Sequence, residues 1–103
     1  MKENVKENID KKTKQKIIAL ISALIPEAKI YLFGSRATGK HTQWSDIDIA
    51  IDVGKKLDRA LVGEVINVVA GTDIVYKVEI VDVHSVSEDM RKSILEERVI
   101  WKN

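Results

Sequence analysis

Three short runs rich in valine and isoleucine, separated by segments with helical spacing, set the strongest limit on what this chain can become. The runs are Lys29–Phe33, Asp46–Val53 and Val75–Val83. Their β-branched and aromatic residues suit a pleated, buried surface. Ahead of them, Ile17, Leu20, Ile21, Leu24 and Ile25 recur at helical spacing behind a cap at Asp10 or Thr13, until Pro26 stops the helix. Leu57, Leu61, Val65, Val68 and Val69 repeat the pattern, and Gly71 closes it. Ser87 opens a last helix, whose start Glu88 and Asp89 favour through the helix dipole. Val99-Ile100-Trp101 reads as an edge strand or a docked tail. Strands alternating with helices predict an α/β domain around one small sheet. A length of 103 residues supports one core. Residues 1–103 are therefore read as a single domain, with 1–9 as a flexible N-terminus.

Composition excludes several functions. Without cysteine there is no disulfide, thiol nucleophile or cysteine-bound zinc. A net charge of +1 gives no strong evidence for direct nucleic-acid binding, which usually needs a strongly basic face. Met1 to Lys16 is polar and lysine-rich, with no apolar signal core. No apolar run approaches the roughly 20 residues of a membrane span. These features read as a cytoplasmic protein that makes no use of a membrane.

The residues that carry chemistry are Gly34-Ser35, then ten residues, then Asp46-Ile47-Asp48. Gly34-Ser35 leaves a buried strand and enters a short helical turn, where free amides favour an anion. Glycine lets a phosphate approach the backbone. An ordinary turn explains the same residues. Asp46 and Asp48 lie two apart on a strand, so both carboxylates leave the same face. Their repulsion is relieved by a divalent cation, and Mg²⁺ favours carboxylates together with substrate phosphates. A strand with one wet face is the competing reading. Glu79 interrupts the apolar run Val78-Glu79-Ile80-Val81. Alternation puts Lys77, Glu79, Val81 and Val83 on one face, so Glu79 completes a three-carboxylate cluster if its strand lies beside Asp46–Val53. A salt bridge to Lys77 or Lys29 is the alternative. Asp82 is the rival third ligand, with exposure at a strand end as its ordinary explanation.

Phe33-Gly34-Ser35-Arg36-Ala37-Thr38-Gly39, followed by Ser45-Asp46-Ile47-Asp48-Ile49-Ala50, resembles the signature of the DNA polymerase β-like nucleotidyltransferase superfamily. Within it, the chain resembles the minimal nucleotidyltransferases (MNT) of prokaryotes, often partnered with HEPN-domain proteins in toxin–antitoxin pairs. The resemblance runs from about Ile17 to Trp101. It implies the polymerase β-like fold, an α/β domain with a small mixed β-sheet flanked by helices, together with ATP as substrate and two Mg²⁺ ions. It assigns Asp46, Asp48 and Glu79 as catalytic metal ligands, and Gly34, Ser35 and Arg36 to the nucleotide. Family members usually carry aspartate where this chain has Glu79. For Arg36, a loop cap or a surface salt bridge remains open.

The resemblance implies transfer of AMP onto a HEPN-type toxin, making this chain the antitoxin. A binding module that neutralises its partner by complex formation is the alternative. An antibiotic-modifying enzyme or a polymerase would generally need a further domain. Trp44 could stack a base, or cover a core edge, or meet a partner. His41 reads as a solvated loop residue and His84 as part of a turn. Ile94, Leu95, Val99, Ile100 and Trp101 are candidates for an apolar surface in a homodimer or hetero-oligomer.

Overall fold

The structure, a computed structural model, describes residues 7–103. Helix α1 (Lys11–Leu24) starts at Asp10, whose side chain accepts from the Thr13 amide and hydroxyl. Strand β1 (Lys29–Phe33) leads through Gly34 into the single turn α2 (Ser35–Thr38). Strand β2 (Ile47–Asp52), helix α3 (Arg59–Ala70), strand β3 (Val78–Asp82), helix α4 (Glu88–Glu97) and strand β4 (Val99–Lys102) complete the order. Asp58 caps α3, and Ser87 caps α4 by accepting from the Met90 amide.

The sheet runs β3-β2-β1-β4. Strand β1 pairs antiparallel with β2 and β4, and β3 pairs parallel with β2, so the sheet is mixed as expected. Ile30, Leu32, Ile47, Ile49, Ile51 and Ile80 project to one face and pack with Ile17 and Ile21 of α1 and Val65 and Val69 of α3. The opposite face carries Tyr31, Asp48, Ala50 and Asp52 by alternation. Ile94 of α4 packs over part of it, with Val83 and Val86. The carboxylate-bearing end of this face is left open.

Several expectations change. Strand β3 begins at Val78, not Val75, which is exposed. Of the loose N-terminus, residues 1–6 fall outside the described residues. Glu7 and Ile9 are buried, so the chain is packed from residue 7. Ile94 is buried in the smaller cluster with Tyr31, Ala50 and Val83, and Val99 and Trp101 pack against the main core, so only Leu95 and Ile100 of the apolar-surface candidates are well exposed. No described helix is long and apolar enough to cross a membrane.

Candidate active site

The antiparallel register of β1 and β2 sets Phe33 opposite Asp48. The next residue, Gly34, takes φ +77°, a left-handed conformation that favours glycine. A Cβ at Gly34 would collide with Oδ2 of Asp48. The turn and the carboxylate are therefore in direct contact, and Ser35 begins α2 beside them. The sequence spacing thus closes into one place.

The third carboxylate comes from the parallel pair. Asp48 registers with Glu79, so both side chains leave the same face of adjacent strands. Burial raises the Asp48 pKa from 3.8 to about 6, and the charges of Glu79 and then Asp46 push the same way. Asp48, disfavoured as an anion by burial and by its two acidic neighbours, suits a divalent cation. Among the described residues no three acidic or histidine side chains converge into a finished metal cage. An open face suits Mg²⁺, which keeps several waters and shares its ligands with substrate phosphates.

Glu79 is not enclosed by the apolar strand as the sequence suggested. Its side chain is half exposed and lies 3.4 Å from Lys77 Nζ, an exposed pair of little energetic weight. Asp82, the rival ligand, is buried rather than solvated. Its carboxylate accepts from the Leu57 amide at 2.7 Å, the Ser85 hydroxyl at 2.8 Å and the His84 amide at 3.0 Å. It holds loops together.

Arg36 corrects the nucleotide-binding assignment. It is fully buried. Its Nε donates to Ser45 O, one terminal nitrogen to Glu7 O and Asn8 O, and the other to Gln43 O and Ser45 O, all at 3.0–3.2 Å. The guanidinium also lies 4.9 Å from the Tyr76 ring centroid. All five N–H groups are used, so none remains for a phosphate. Arg36 instead ties the first described residues to the loop that delivers Asp46.

At the far end of the same face, Asp52 accepts from the Tyr31 hydroxyl at 3.1 Å and the Gly54 amide at 2.8 Å, and meets His84 Nε2 at 2.9 Å. Burial alone would raise its pKa, but these hydrogen bonds outweigh it and hold the carboxyl below its ordinary value. Sequence reading missed this network, because its members are far apart along the chain. His41 is half-buried, with Nδ1 enclosed and unpartnered among the described residues, rather than solvated.

Comparison with known proteins agrees with this fold. Residues 5–103 match the family described as polymerase beta, nucleotidyltransferase. The probable protein adenylyltransferase MntA of Haemophilus influenzae is 31% identical over 75 residues, covering 73% of this chain and 66% of that protein. A crystal structure of a toxin–antitoxin with AMP-PNP superposes with a TM-score of 0.72 and 31% identity, over 85% of this chain and 71% of the other. A tri-AMPylated Shewanella oneidensis HEPN toxin in complex with MNT antitoxin gives 0.70 and 28%, over 90% and 71%.

Proposed function

From the premise that this chain belongs to the polymerase beta nucleotidyltransferase family, we propose that it transfers AMP from ATP onto a side chain of a HEPN-type toxin, acting as a cytoplasmic antitoxin. The observation that carries this reading is the alignment of Gly34, Asp48 and Glu79 on one open sheet face. The similarity to MntA and to MNT–HEPN complexes supports the choice of acceptor. The chain spans about two thirds of MntA's length, so substrate and partner are part of the proposal.

In this mechanism Asp46, Asp48 and Glu79 hold two Mg²⁺ ions. When bound, these supply Lewis acidity and neutralise the charge of the triphosphate. The Gly34 backbone and the Ser35 hydroxyl hold phosphate oxygens. An acceptor oxygen forms a bond to the α-phosphorus while the bond to pyrophosphate breaks. Glu79, open to solvent on the face beside Asp48, takes the acceptor's proton. Orientation and charge complementarity do most of the work, as in other phosphoryl transfers.

The test is transfer of labelled AMP from ATP to the protein encoded beside this chain, offered as acceptor. Label on the partner, lost in Asp46→Asn with Asp48→Asn, is the expected result. A folded, bound partner that takes no label with Mg²⁺ or Mn²⁺ would leave the second reading, neutralisation by binding alone.

A further inference from the structure

The feature of the open end that phosphate and metal binding leave unused is a cleft of ≈ 430 Å³ against Asp46. We propose that it receives the base of the nucleotide, stacked on Trp44, an inference that rests on the nucleotidyl-transfer reading above.

The cleft is built, not a gap between loops. Asn8, Gln43, Ser45 and Tyr76 all line it. The carbonyls of the first three accept from Arg36, and its guanidinium packs on the ring of the fourth. One buried cation thus braces wall residues drawn from three separate segments. Within the loop, the Thr42 amide donates to Ser45 Oγ and the Trp44 amide to Thr42 Oγ1. The backbone of Trp44 is fixed, yet its side chain is 83% exposed. Val75, also exposed, lines the cleft with it. An uncovered indole on a pinned backbone beside Asp46 can serve as a stacking platform.

The position fits the length of a nucleotide. The phosphate turn follows β1, whereas the cleft lies where β2 and β3 begin. Those sites are two strand spacings apart, about 10 Å, with Asp46 and Asp48 between them. A triphosphate over Ser35 therefore carries its nucleoside toward Trp44. The amides of Asn8 and Gln43 offer paired donors and acceptors of the kind that suit a purine edge. An acceptor hydroxyl has no such edge to offer them.

The experiment is calorimetric titration with Mg²⁺ and either α,β-methylene-ATP, which cannot undergo transfer, or inorganic tripolyphosphate. The wild type should bind the nucleotide more tightly than tripolyphosphate. Trp44→Ala should weaken nucleotide binding about tenfold or more and leave tripolyphosphate binding unchanged. Trp44→Phe should restore most of the loss. Equal loss for both ligands, or no loss for either, overturns the base site. Unchanged nucleotide binding with a raised KM for the protein acceptor would assign the cleft to the acceptor and overturn it too. A wild type that binds neither ligand removes the nucleotidyl-transfer reading, and the base site with it.

Discussion

Asp48 Oδ2 occupies the space that a side chain on Gly34 would need. The Gly34 turn and the Asp48 carboxylate are therefore packed as one unit. Gly34→Ala must displace the carboxylate and also hold alanine at φ +77°. It should cost about 1–3 kcal/mol and lower AMP transfer by on the order of 100-fold. Melting and transfer assays on the purified variant separate the two effects.

Asp48 binds its proton more tightly in the folded chain than in the unfolded one, since its pKa is raised from 3.8 to about 6. Stability from this group is greatest below pH 4 and falls as pH rises to 6. Asp48→Asn should abolish transfer and yet melt higher than the metal-free wild type above pH 6. A gain of about 1 kcal/mol is expected, discounted for partial exposure, or roughly 4–8 °C. The gain should vanish near pH 4. A lower melting temperature at neutral pH would contradict it.

Glu79 is half exposed and its ion pair with Lys77 lies at the surface. Glu79→Gln should alter stability by less than about 0.5 kcal/mol and lower transfer by about 100-fold or more. Glu79→Asp should keep transfer within roughly tenfold of wild type. Full activity in Glu79→Gln would remove this residue from the site.

Asp82 serves three donors with two oxygens. Asp82→Asn leaves at least one donor facing an amide, at a cost of about 1–3 kcal/mol. Transfer per folded molecule should survive, as measured at low temperature. Loss of Mg²⁺ dependence in the folded variant would return Asp82 to the ligand set.

Arg36 should behave as a structural residue. Arg36→Lys puts three donors on one atom where five N–H groups now reach four carbonyls. A cost of about 3–5 kcal/mol is expected, seen as a lower denaturant midpoint before any nucleotide is added.

The sequence was most informative where structure follows from local spacing. The Gly34-Ser35 turn, the strand carrying Asp48 and the strand character around Glu79 are local and formed as read, whereas Asp46 lies one residue before β2 and not on it. Whether Glu79 would stand beside Asp48 depended on which strands pair, and the parallel register provides that. Of the readings open for Arg36 the loop cap is the one that holds, and the motif alone does not select it because the acceptors lie 7 to 29 residues away, beyond any periodic signal. Val75 was assigned to a strand because its residue type fits. It has no partner there, since β2 begins only at Ile47, opposite Val78.

The two ends of the described chain meet at this brace. Trp101 Nε1 donates to the Glu7 carboxylate at 3.3 Å, and the Glu7 carbonyl holds Arg36. During synthesis, every carboxylate of the site has left the ribosome while Trp101 is still inside the exit tunnel. The side-chain anchor of Glu7, whose carbonyl supports Arg36 beneath the Asp46 loop, is therefore completed only after all of the site's carboxylates have been made.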